Sequence, residues 1–65
     1  MELRQLRYLV RTIALGSISQ AALDLGVAQS AVSLQIQRLE GELATRLLQR
    51  TPKGIIPTDA GIAFL

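Results

Sequence analysis

The chain has 65 residues, 49% hydrophobic and 18% charged, with no Cys, no His and one each of Met, Tyr and Phe. A chain this short makes one small domain that buries only about 60% of its unfolded surface. Without Cys or His it builds no zinc knuckle, thiol nucleophile or imidazole base, and its carboxylates are limited to Glu2, Asp24, Glu40, Glu42 and Asp59. An enzyme is therefore not expected, and neither is a cofactor or a metal. Seven Lys and Arg against five acids leave a net charge of +2, a mild bias toward a polyanionic partner. No apolar run approaches the roughly 20 residues that span a bilayer, so no membrane role is expected. The N-terminus, MELRQLRYLVRTIAL, has the look of a targeting segment, but Arg4, Arg7 and Arg11 interrupt any secretory core and the helical pattern runs on past it. A cytoplasmic location is the expectation.

From Leu3 to Ala14, Leu3, Leu6, Leu9, Val10 and Ile13 recur at helical spacing and predict an amphipathic first helix, with Arg4, Arg7 and Arg11 on a different, exposed face. Gly16 ends it in the position where helices favour glycine. Ser17 and Ser19 are both candidate N-caps for a second helix to about Leu25, whose Ala21-Ala22 pair lets another helix approach closely. Gly26 stops that helix. A third helix, from Ala28 or Gln29 to about Leu43, follows from Val32, Ile36, Leu39 and Leu43.

After Leu43 the pattern changes. Leu47-Leu48-Gln49-Arg50 and Ile55-Ile56 have strand character and flank Thr51-Pro52-Lys53-Gly54, where Pro after the first position and Gly at the last suit a type I turn. A β-hairpin over about 47–56 is predicted. Pro57-Thr58-Asp59-Ala60 signals a helix start, with Thr58 as N-cap and Asp59 in the first turn. That helix is still short and uncapped at Ala63-Phe64-Leu65, so the chain reads as a piece of a longer protein.

Two helices joined through a Gly, the second the longer, form the helix-turn-helix arrangement that lays its second helix in the DNA major groove. Three positions answer its geometric demands. Ala22 is small enough for the helix crossing, Gly26 tolerates the positive φ of the turn, and Val32 points back from the second helix of the pair. On a helical wheel Gln29, Ser30, Ser33, Leu34 and Gln37 fall in one stripe away from Val32, Ile36 and Leu39. The stripe has amides, hydroxyls and one Leu but no charge, although Lys and Glu are the usual choices for a merely solvated helix face. Gln pairs bidentately with adenine, Ser with several base edges, and Leu34 with a thymine methyl. Arg50 and Lys53 on the hairpin, with Arg38 and Arg46 nearby, are placed to meet phosphates. The helix N-terminus at Ser17 to Ser19 adds amides that favour an anion. Glu40 and Glu42, two residues apart, point to different faces and read as surface or ion-pair residues.

Six segments occur in order: Leu3-Arg4-Gln5-Leu6-Arg7-Tyr8, Gly16-Ser17-Ile18-Ser19-Gln20-Ala21-Ala22, Val27-Ala28-Gln29-Ser30-Ala31-Val32-Ser33, Leu39-Glu40-Gly41-Glu42-Leu43, Leu48-Gln49-Arg50-Thr51 and Thr58-Asp59-Ala60-Gly61. In these segments the chain resembles the N-terminal winged helix-turn-helix of the LysR-type transcriptional regulators. Within that family, Ala28-Gln29, Leu39 to Leu43 and Pro57 to Gly61 are similar to the nitrogen-assimilation-control type. The resemblance implies a mostly α fold, with a three-helix core and a two-stranded wing over residues 1–57, and the start of a dimerisation linker helix over 58–65. It further implies base contacts from Gln29, the residue at 30, Ser33 and the residue at 34, and backbone contacts from Arg50 and Lys53. The expected partner is double-stranded DNA at an interrupted palindrome, bound by a homodimer or tetramer assembled through the helix starting at Thr58. A small-molecule effector would bind only a further, C-terminal domain. The family commonly has Pro at 30 and often Arg at 34, so Ser30 and Leu34 are departures at the reading positions. Because winged helices also serve as docking domains, a protein-interaction module is the rival class.

Overall fold

The structure is a computed structural model that describes residues 1–64. Its elements run α1 (Leu3–Leu15), α2 (Ile18–Leu25), α3 (Gln29–Leu43), β1 (Leu48–Thr51), β2 (Gly54–Pro57) and α4 (Asp59–Phe64). The expected mostly α, winged helix-turn-helix fold is present: α1, α2 and α3 pack on one another, and the antiparallel hairpin leans on them. Leu65, the last residue of the expected linker-helix segment, lies outside the described residues.

Local chemistry explains each boundary. Gly16 and Gly26 close α1 and α2 in the left-handed conformation, at φ 67° and 70°. The Gly26 turn is completed by the Val27 N–H, which donates to the Ala22 carbonyl at 3.0 Å, so the turn is folded back onto the residue at the helix crossing. Of the two serines, Ser17 is the N-cap of α2: its hydroxyl accepts from the Gln20 N–H at 3.2 Å, while Ser19 shares a hydrogen bond with the Ser17 hydroxyl. The end of α3 had no glycine to mark it, and Ala44 takes the left-handed position there at φ 51°.

The core joins Tyr8 and Leu9 of α1, Ala22 of α2, and Val32, Ile36 and Leu39 of α3 to Leu47, Leu48 and Ile55 of the wing region. Of the apolar face expected on α1, Leu9 is buried and Leu6 and Ile13 pack half-buried on the core, but Leu3 and Val10 depart from it. Leu3 is 74% exposed and Val10 48% exposed, while Gln5, Tyr8, Leu9 and Thr12 are buried. Two polar residues are admitted because their hydrogen bonds are met. The Gln5 side chain accepts from the Glu2 N–H at 3.0 Å and donates to Glu42 at 3.4 Å, and the Thr12 hydroxyl donates to the Tyr8 carbonyl at 2.8 Å.

β1 is shifted by one residue from expectation, and β2 extends the expected Ile55-Ile56 by one residue at each end. Leu47 is not a ladder residue: its N–H donates to Glu40 and its carbonyl accepts from the Thr58 N–H at 3.0 Å, which leaves neither group for the hairpin. The ladder pairs Leu48 with Pro57, Gln49 with Ile56, Arg50 with Ile55 and Thr51 with Gly54 across the Pro52-Lys53 turn. The Thr51 hydroxyl stitches the turn, donating to the Gly54 carbonyl at 2.9 Å and accepting from the Lys53 N–H at 3.2 Å. The wing docks on the α1–α2 corner through the Ile55 N–H and the Gly16 carbonyl, 2.9 Å apart, and a Cβ at Gly54 would stand 2.7 Å from that same oxygen. At the far end Thr58 caps α4: its hydroxyl accepts from the Gly61 N–H at 3.0 Å and donates to the Arg46 carbonyl at 2.7 Å. No helix among the described residues is long and apolar enough to cross a membrane.

Candidate nucleic-acid interface

The hydrophobic spacing of α3 fixes which of its faces is free. Val32, Ile36 and Leu39 are buried, and the side chains about 100° or more around the helix from them emerge on the other side. Gln29, Ser30, Leu34 and Gln37 are exposed, Leu34 at 45%, and Ser33 is half-buried where the stripe turns toward the wing. Ala28 supplies no side-chain cap, so the start of α3 brings its uncapped first turn to the same end of the stripe as Gln29 and Ser30.

Two adjoining grooves separate this stripe from the wing. One, of about 290 Å³, has Ser33, Gln37, Glu40, Arg46, Leu48 and Arg50 among its lining. The other, of about 340 Å³, is bordered by Ser17, Ser19, Gln29, Ser33, Arg50 and Thr51. Ser33 and Arg50 belong to both, so Arg50 stands at the divide between the two grooves, on the wing side of the stripe. The residues singled out from sequence thus separate into groups. Ser17, Ser19, Gln29, Ser33, Gln37 and Arg50 gather around the grooves, and Ser30 and Leu34 form the outer crest of the stripe. Lys53 is exposed at the hairpin turn. Arg38 falls on the flank beyond Leu34, away from the wing, rather than beside Arg46 as its expected neighbourhood implied. Ala22 and Val32 are buried at the packing of α2 on α3, and Gly26 is needed for its φ alone, since a Cβ there would meet nothing within 4 Å.

The charges are unevenly engaged. Among the described residues Arg38, Arg50 and Lys53 have no ion pair, whereas on the α1 side Arg11 pairs with Asp24 and Arg4 lies 3.7 Å from Glu2. The hydrogen bond from Arg11 holds the Asp24 carboxyl below its ordinary range. Glu42 is likewise lowered, first by the N-terminal ammonium 2.9 Å away and then by Gln5. The acids bordering α1 are thus neutralised locally, and of the cations without an ion pair among the described residues Arg38, Arg50 and Lys53 lie on α3 and the wing, while Arg7 stays on α1. No cluster of potential metal ligands occurs among the described residues.

The role of one residue at this face was missed in the sequence. Glu40, expected at the surface or in an ion pair, does lie 3.6 Å from the Arg46 Nε, but its side chain is only 14% exposed, and one carboxylate oxygen accepts from the N–H groups of Leu47 and Leu48 at 2.7 and 3.2 Å. A sign was present, because an acid in the last turn of a helix opposes the macrodipole and so calls for a compensating partner.

Comparison with known proteins agrees with this architecture. The family described as bacterial regulatory helix-turn-helix protein, lysR family, matches residues 3–62. The nitrogen assimilation regulatory protein nac of Escherichia coli (strain K12) is 51% identical over 61 residues, covering 94% of this chain and 20% of that protein. The corresponding nac of Klebsiella aerogenes is 49% identical with the same coverage. The chain therefore spans about a fifth of the length of these curated relatives. Among solved structures, the CbnR DNA-binding domain in complex with DNA superposes with a TM-score of 0.94 at 43% identity, over 100% of this chain and 75% of that one. The BenM DNA-binding domain with catB site 1 DNA gives 0.94 at 44%, over 98% and 72%. With a match along nearly its whole length and the same helices and wing in the same order, the chain belongs to the LysR family of bacterial regulatory helix-turn-helix proteins.

Proposed function

We propose that this chain is the DNA-binding module of a bacterial transcriptional regulator, reading double-stranded DNA with α3 in the major groove and the wing, about residues 47–56, against the backbone. The observation that carries the reading is the pairing of an uncharged amide and hydroxyl stripe on α3 with the unpaired Arg50 and Lys53 of the adjoining wing. Phosphate contacts supply affinity and register, and base edges supply sequence, so a neutral reading face framed by free cations divides the two tasks. Gln29, Ser30, Ser33, Leu34 and Gln37 are assigned to bases, and Ser17, Ser19, Arg38, Arg50 and Lys53 to phosphates. The CbnR and BenM domains, similar in fold and at 43 and 44% identity, were solved on DNA.

In this reading residues 1–57 form the DNA-binding domain, and the helix from Thr58 leads into a dimerisation element. Two copies would then address the two halves of an interrupted palindrome in the cytoplasm. The module needs no cofactor. Sensing of a small molecule falls to segments outside it.

Measuring affinity for specific and random duplexes across a salt series tests the assignment. Gln29→Ala should cost about 1–3 kcal/mol on the specific site and relax preference at one base pair. Lys53→Ala should weaken all duplexes alike and lower the salt slope by roughly one. Equal losses on both duplexes for Gln29→Ala would remove α3 from base reading. No duplex binding at low salt by the dimeric protein would overturn the function in favour of a docking module.

A further inference from the structure

The wing and α3 act on DNA together only if the angle between them is fixed. Apolar packing of Ile36 and Leu39 against Leu47, Leu48 and Ile55 holds the wing close, but such contacts are non-directional. Among the described residues, the hydrogen bonds between α3 and the wing region are the two that Glu40 accepts, from the N–H of Leu47 at 2.7 Å and of Leu48 at 3.2 Å. Both converge on one oxygen, and the Arg46 Nε lies 3.6 Å from it. Leu48 and Arg50 are two residues apart on a strand, hence on the same face, and their backbones are separated by only about 7 Å. An anchor at Leu48 therefore governs where Arg50 points.

The corner is held from other sides as well. The Leu47 and Arg46 carbonyls accept from the N–H and hydroxyl of Thr58, and the Ile55 N–H donates to Gly16. Those bonds tie the wing to α4 and to the α1–α2 corner. Among the described residues, Glu40 alone ties it by hydrogen bonds to the helix that carries the reading stripe.

Resting on the DNA-binding reading above, we propose that Glu40 is a positioning residue: its carboxylate sets the pose of the wing on α3, so that Arg50 meets a phosphate while Gln29 and Ser33 meet bases. It touches no DNA itself. It acts through the amides of Leu47 and Leu48, and its role is reach and acceptor geometry rather than negative charge, which faces a polyanion unfavourably.

Two substitutions in the full chain separate reach from charge. Glu40→Asp keeps the charge but withdraws the oxygen by one methylene, out of range of both amides. Glu40→Gln loses the charge but keeps an acceptor at the same reach. The pose is read first without DNA, by amide exchange at Leu47 and Leu48 and by residual dipolar couplings of β1 relative to α3. Faster exchange and a rotated strand are expected in Glu40→Asp, and parent-like values in Glu40→Gln. On duplex DNA, Glu40→Asp should lose about tenfold or more in affinity and about one unit of salt slope, as expected for one lost charged contact. Adding Arg50→Ala to Glu40→Asp should then change little further, and Glu40→Gln should restore binding.

Additive losses from Glu40→Asp and Arg50→Ala, an impaired Glu40→Gln beside a normal Glu40→Asp, or an unmoved strand in Glu40→Asp would each overturn the proposal. Failure of the parent to bind any duplex would count against the function instead, and the strand measurement would still decide whether Glu40 sets the pose.

Discussion

The two long helices obey their sequences differently. In α3, Val32, Ile36 and Leu39 of the expected spacing are buried and the opposite stripe is polar apart from Leu34, while Leu43, the last of that spacing, is 36% exposed. In α1 the apolar residues outnumber the places available, and Leu3 and Val10 are left beside a shallow groove with Arg7 and Arg11 while Gln5 and Thr12 go inside. Both helices are packed from several sides, α1 by α2, α3 and β2, and α3 by α1, α2 and the core residues of the wing region, so the difference lies in the helices' own apolar faces. α1 offers a broader apolar face than so small a domain covers, and its inner line is chosen by fit and by satisfied hydrogen bonds. Spacing predicts burial where the apolar face is narrow.

That contrast can be broken most directly by replacing one leucine on each helix. Leu39→Ala should cost about 2–5 kcal/mol, because Leu39 is fully buried and leaves a cavity where α3 meets the wing. Leu3→Gln on α1 should change stability by no more than about 0.5 kcal/mol. Chemical denaturation of both variants checks the pair, and similar losses would mean that the exposed side of α1 contributes to folding after all. Next in size, Ala22→Leu should cost about 1–3 kcal/mol by overpacking the α2–α3 crossing, where Ala22 is buried. A fully stable Ala22→Leu variant would show the crossing to be more open than the buried alanine implies.

The helix ends sharpen the comparison further, since α1 ends at Gly16 and α3 at Ala44, both left-handed. An Ala there is strained where a Gly is not, so Ala44→Gly should stabilise by about 0.5–1 kcal/mol, less whatever entropy the unfolded chain gains. A higher melting temperature is the expected reading, and a lower one would show that α3 tolerates the Ala without strain.

Much of the fold was legible because it rests on short-range signals. Ser17, Gly16, Gly26 and Thr58 mark ends through bonds spanning a few residues, and the hairpin announces itself by Pro52 and Gly54. The reading stripe was legible for a related reason: it is the complement of a well-packed apolar face. Glu40 and Leu47 were not, since the bond between them joins a helix to a loop and depends on the chain reversing at Ala44. Gly61 is a similar case. Its Cβ would run into the Leu47 carbonyl oxygen, and that crowding exists only once α4 has docked. Arg38 differs from the stripe in a way that the helix turn alone sets, since it falls on the flank beyond Leu34.

The smallest effect concerns the side-chain ion pair that, among the described residues, joins α1 to α2, Arg11 with Asp24. Hydrogen bonding from Arg11 depresses the Asp24 pKa from its ordinary 3.8, so the folded state binds this proton less readily than the unfolded state does. The pair's contribution is therefore complete at neutral pH and is lost as pH falls below about 4, toward the lowered folded value. Both groups are exposed, so the effect is small and shrinks with added salt. Glu42 is depressed too and titrates over the same range, which makes the difference between parent and Asp24→Asn the quantity to measure. At low salt the parent should lose more urea resistance between pH 7 and pH 3 than Asp24→Asn does, and the gap should close in high salt. Equal losses would show that α1 and α2 are held by Ala22 and its apolar neighbours without help from charge.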